Sequence, residues 1–159
     1  MGKKMNKKLI GLAGGLLVGS LFLVGCVGLT STPANLTGGG TIDGANGQAN
    51  FGFSANTCSP SGKVQGKFTY VDQASDVKFN GEVENAVLCL SGTCNVCGAG
   101  EYQISLTYKS TNPKLYGQGG AVVCLSEDEN IALQIINGPF SNYTRNGQFQ
   151  GNVQSHKCK

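Results

Sequence analysis

The side chains with the most chemical potential in this chain are its seven cysteines. Cys26 ends an apolar run, and the others are Cys58, Cys89, Cys94, Cys97, Cys124 and Cys158. The densest group is "CLSGTCNVC", Cys89 to Cys97. Cys94-Asn-Val-Cys97 has the C-x-x-C spacing of redox and metal motifs. A redox thiol of that type needs a helix start to lower its pKa. The sequence that follows, "GAGEYQISL", alternates apolar and polar residues as a strand does. A zinc site needs a second pair of ligands, and His156 is the only histidine. No metal ligand set and no cofactor are therefore assigned, and all six cysteines after Cys26 are candidate disulfide partners. A turn at Ser91-Gly92 would put Cys89 opposite Cys94, at a separation that a disulfide spans. Cys97 with Cys124 is a second option across strands, and the connectivity stays open.

Other groups carry less. Asp72 and Asp76 in "VDQASD" could form a carboxylate pair for glycoside hydrolysis, but no tryptophan is present and the segment reads as a loop. Glu127, Asp128 and Glu129 in "SEDEN" could take Ca²⁺, yet they lack the alternating ligands and glycine of a calcium loop; a solvated turn is the expectation. His156 stands among Gln and Asn on the polar side of a terminal strand, with no nucleophile-elbow pattern beside it. Tyr143-Thr144 reads as turn packing. No catalytic residue is assigned.

What precedes Cys26 fixes the expected address. "MGKKMNKK" carries Lys3, Lys4, Lys7 and Lys8 and no acid, and Leu9 to Gly25 are 17 uncharged residues. A basic stretch followed by an apolar one is the layout of an export signal. "LVGC", Leu23 to Cys26, resembles the lipobox of bacterial lipoproteins. That resemblance implies diacylglycerol on the Cys26 thiol, cleavage before Cys26, and a membrane anchor through the lipid. It also accounts for the odd cysteine. The expected location is the cell envelope, at an outer membrane or cell surface. With the four signal lysines removed, eight basic residues face nine acidic ones, a side-chain balance of −1. No basic cluster remains, so nucleic acid is excluded as a partner.

The expected organisation is a signal peptide over 1–25, a flexible tether over 26–38 and one domain over 39–159. The tether is small, polar and uncharged. The domain's segments alternate with period two. Ala49, Phe51, Phe53 and Ala55 share one face; so do Val64, Phe68 and Tyr70, then Tyr102, Ile104, Leu106 and Tyr108, then Phe149 and Val153. "GAVVCL" and "IALQII" are more continuously apolar and read as central strands. "VKFNGEVENAVL" is either a hairpin or one strand with a kink at Gly81. Turn signals stand at Asn46-Gly47, Ser91-Gly92, Asn137-Gly138-Pro139 and Asn146-Gly147. The fold class is all-β: an antiparallel, disulfide-bonded meander of about eight strands. The first strand, near Thr41-Ile42, pairs with the last, near Val153, in a small barrel or sandwich.

The order "GGGTID…GQANFGFSA…GKVQGKFTYVD…VKFNGEV…GPFSNYTRNGQFQGNVQSH" also resembles an uncharacterised glycine-rich β domain of bacterial secreted and surface proteins, over roughly residues 38 to 156. The resemblance implies fold and export and brings no activity. The functional expectation is a non-catalytic, lipid-anchored envelope domain that is structural or binds a protein or a glycan. The alternatives are an envelope hydrolase with loop carboxylates, and a small-ligand carrier with a barrel cavity.

Overall fold

The computed structural model describes residues 34–44 and 46–159. The expected signal peptide, Cys26 and residues 26–33 of the expected tether lie outside the described residues. Eight strands follow in chain order: β1 Ala34–Ile42, β2 Ala49–Asn56, β3 Gln65–Asp72, β4 Val77–Leu88, β5 Tyr102–Ser110, β6 Gln118–Leu125, β7 Asn130–Ile135 and β8 Thr144–Lys157. Each pairs antiparallel with the next, and β8 pairs with β1, so the meander closes into a barrel. Closure leaves no free sheet edge. The all-β barrel expectation holds, and the sandwich alternative falls.

The pairing of the first and last strands also holds, with Thr41 opposite Gln150, Ile42 opposite Phe149 and Gly38 opposite Val153. Three expectations need correction. The domain does not begin at residue 39: β1 starts at Ala34, so residues 34–38 belong to the barrel wall. Leu36 packs into the core, and Gly38 is small because a Cβ there would strike the Phe53 ring. Asn146-Gly147 is not a turn; both residues lie within β8, opposite Ala132 and Ile131. "IALQII" is not buried on both faces. Ile131, Leu133 and Ile135 point inward while Ala132 and Gln134 are exposed. The near-continuous burial of β6 arises because Cys124, on its outer face, is covered by the 89–101 loop through Cys97. The ambiguous "VKFNGEVENAVL" is one strand, β4, with a bulge between Val83 and Asn85. A bulge inserts one residue and sharpens the local twist.

The interior is filled by aromatic rings. Phe51 meets Phe149 edge-on at 5.0 Å, and Phe79 lies 4.8 Å from Tyr108 and 5.4 Å from Tyr70. Eight-stranded barrels are just wide enough for side chains to fill. Here the rings are so large that some inward positions must be empty. A Cβ on Gly38 would lie 2.7 Å from the Phe53 ring, and one on Gly40 would lie 2.8 Å from Phe149. Gly38 and Gly40 thus provide seats for rings from the two flanking strands, which cover backbone that would otherwise be bare. This packing gives no support to the carrier alternative.

Strand direction sorts the loops onto two ends. The start of β1, the 57–64, 89–101 and 126–129 loops and the end of β8 share one end; all six cysteines after Cys26 lie there. Loops 43–48, 73–76, 111–117 and 136–143 form the far end.

Candidate functional site

At the far end, Asp72 closes β3 with its side chain inward and wholly buried. The Tyr143 hydroxyl donates to Asp72 Oδ2 at 2.6 Å, and the Tyr70 and Tyr143 hydroxyls are 2.7 Å apart. The Ser75 amide donates to Asp72 Oδ1 at 3.1 Å. Arg145 Nη1 lies 3.6 Å from the same carboxylate, and its Nη2 donates to the Gly47 carbonyl at 2.6 Å. Burial pushes the Asp72 carboxyl up, but the bonds from Tyr143 and Ser75 and the Arg145 charge outweigh it and hold it below the ordinary value. Burial, with the Asp72 charge behind it, pushes the Tyr70 hydroxyl up to about 12. Burial and the bonds to Asp72 and Tyr70 push Tyr143 far above a free tyrosine.

This cluster ties three far-end loops together around Tyr70 and Asp72, which are wholly buried. Asp76 is no partner to Asp72. It is exposed, sits at a left-handed φ of 53°, and pairs with Lys78 at 3.7 Å. The carboxylate pair required by the hydrolase alternative is therefore not assembled by these two residues. Tyr143, expected as turn packing, is the hub of the cluster. The missed signal was parity: Phe68, Tyr70 and Asp72 alternate inward, so Asp72 had to be a buried carboxylate in need of partners.

At the cysteine end the pairings are Cys58–Cys158, Cys89–Cys94 and Cys97–Cys124. The Cys89–Cys94 turn forms as expected, with the Thr93 amide donating to the Leu90 carbonyl at 3.0 Å. Strand order places β1 between β2 and β8, so Cys58–Cys158 joins the two neighbours of β1 beside its start. Cys97, Cys124 and Glu101 have their ligand atoms within 4.8 Å of one another. The two sulfurs are bonded to each other and offer no thiolate, and Glu101 Oε2 accepts the Gly98 amide at 2.6 Å. The group acts as a staple.

The acidic turn divides. Glu127 and Asp128 line a shallow hollow of about 470 Å³ with Glu101, Ser126 and Asn130. Glu129 leaves that set, turning at a φ of 59° while its carbonyl accepts the Phe149 amide at 2.8 Å. His156 is exposed on the outer face of β8 opposite Asn35, at the other end of the barrel from Asp72.

A further concavity lies outside the wall. A groove of about 1000 Å³ crosses β3, β4 and β5. Thr69, Asn80 and Thr107 lie along it, Lys67 stands opposite Glu82, and the Thr107 hydroxyl donates to Glu84. Each of these residues is ordinary in sequence; only the register brings them into one row. No protein family, curated protein or solved structure matches this chain.

Proposed function

We propose that this protein is an exported, lipid-anchored barrel of the cell envelope with a non-catalytic binding role. One observation carries the reading. Three disulfides gather at the end where β1 begins, eight positions after Cys26. Disulfides persist in oxidising, extracytoplasmic compartments, which agrees with the export signal and the lipobox-like "LVGC". Eight residues reach at most about 28 Å, so an anchor on Cys26 holds the cysteine end near the membrane. The far end, with exposed Leu115, Tyr116 and Ile136, then points away from it. The wall of the barrel remains accessible on all sides.

Fractionation tests this reading. The wild-type chain is expected in the membrane fraction at the mass of a cleaved, acylated protein. Cys26→Ser is expected as an unprocessed or released form. An unchanged mass and unchanged membrane fraction for Cys26→Ser would overturn the anchor.

A further inference from the structure

The outward positions of β8, β1 and β2 contain no charged residue. On β8 they run Asn146, Gln148, Gln150, Asn152, Gln154 and His156. On β1 and β2 they are Asn, Thr, Ser and Gly. The register sorts these positions into rows perpendicular to the strands. The middle row is Asn152, Gly39, Gly52, Thr69 and Asn80. The two outward glycines sit side by side and leave bare backbone as a floor. One flanking row is Gln150, Thr41 and Asn50; the other is Gln154, Thr37 and Ser54. The Thr41 hydroxyl donates to Asn50 Oδ1 at 2.8 Å, which leaves the Asn50 amide nitrogen free to donate outward. The middle row runs through Thr69 and Asn80 into the groove of about 1000 Å³. Four strand spacings make it about 19 Å long.

We propose that this trough binds a chain of uncharged polysaccharide lying across the strands. The proposal rests on the envelope-binding reading above and names the ligand class. A primary amide offers a donor pair and an acceptor in one plane, which suits vicinal hydroxyls that each donate and accept. A protein partner would need an apolar centre to bury, and these outward positions supply only polar residues and glycine. An anionic polymer would need cations along its length, and the outward positions of β8, β1 and β2 have none; beyond them, on β3 and β4, Lys67 stands opposite Glu82. With no aromatic platform, retention depends on many amide–hydroxyl contacts along one chain. Long chains bind, and single sugars do not compete.

The test uses the full purified chain in detergent with insoluble chitin, cellulose and mannan, and alginate beads as the anionic comparator. Retention is expected on at least one uncharged polymer, at low and molar salt alike, because an uncharged chain forms no ion pair that salt could screen. Gly52→Gln is expected to lower retention by about tenfold or more with an unchanged melting temperature. A Cβ at Gly52 meets nothing closer than the Thr69 hydroxyl at 3.4 Å, so the side chain fills the trough without disturbing the wall. The exposed pair Asn152→Ala with Gln154→Ala supplies the same loss by a second route. No retention on any uncharged polymer, retention by alginate alone, or full retention by both variants overturns the trough. If the chain still fractionates with membranes and cross-links to an envelope protein in that event, the anchored binding role survives. If Cys26→Ser changes nothing while the uncharged polymer is still retained, the anchor fails and the trough stands.

Discussion

Asp72 is a carboxylate held entirely by the protein. Because its folded pKa is below the unfolded value of about 3.9, its contribution to stability is complete above that pH and is lost as pH falls through the folded value. Denaturant midpoints are therefore expected to be flat across neutral pH and to drop in acid below about pH 4. Asp72→Asn should be less stable at neutral pH and should lack that acid limb. At the opposite extreme, Tyr70 is protonated in the fold up to about pH 12. A free tyrosine ionises near pH 10, so stability declines as pH rises from about 10 through 12. Tyr143→Phe strips the hydroxyl that links the two. It leaves Tyr70 and Asp72 each short of a partner in a buried site, at a cost of about 1–3 kcal/mol, read as a shift in midpoint with unchanged slope. None of this cluster was visible as a unit in the sequence. Asp72 lies 71 residues before Tyr143 and its near neighbour Arg145, and only barrel closure brings the start of β8 back toward the end of β3. What was legible at this scale was local, namely the Cys89–Cys94 turn, whose residues are five apart.

Strands were the most readable level, because a barrel wall has one dry face and imposes period two along every strand. Phe51, Phe53, Phe68, Tyr70 and Phe149 all point where their alternation places them. Phe149→Ala is expected to open a cavity and cost about 3–5 kcal/mol, while its exposed neighbour Gln150→Ala stays within about 0.5 kcal/mol. A slip of one residue between β8 and β1 would exchange the two results. Errors occurred where the period was broken for a reason outside the strand. Gly147 looked like half of a turn, but it lies inside β8 opposite Ile131. Cys124 looked like part of a central strand, but its outer face is dry because the 89–101 loop is stapled over it. Residues 34–38 looked like a linker because they carry no charge, yet Leu36 is buried in the core and Gly38 lies beneath the Phe53 ring, where a larger side chain has no room. Glycine has two opposite meanings here, flexibility in a tether and close packing in a wall, and composition does not separate them.

At the scale of the molecule, the three disulfides differ in the lengths they close. Cys58–Cys158 spans 100 residues, Cys97–Cys124 spans 27 and Cys89–Cys94 only 5. In the loop-entropy account the longest contributes about 4.7 kcal/mol and the shortest about 2 kcal/mol. Paired alanine replacements should rank in that order by denaturant midpoint, with Cys58/Cys158 the most damaging. Thiol titration of the unfolded, unreduced chain should find almost no free thiol among the six. Deleting residues 147–159 removes most of β8 and the Cys158 bond together. It should unfold the whole barrel, seen as loss of protease resistance throughout.

The placement of Cys58–Cys158 also has a mechanical meaning. If Cys26 carries the proposed anchor, a load on it reaches the barrel at Ala34 and pulls β1 along its own axis, out from between β2 and β8. Along that axis the hydrogen bonds of both ladders are stretched together instead of one after another, so the strand yields by shear and not by peeling. The sulfur bridge holds the two neighbours of β1 to each other at the point where the load arrives, so they cannot spread to release it. Pulled from this terminus in a single-molecule experiment, the oxidised barrel should hold to markedly higher force than the Cys58/Cys158 alanine pair. The end that receives the strain is the one that has been riveted.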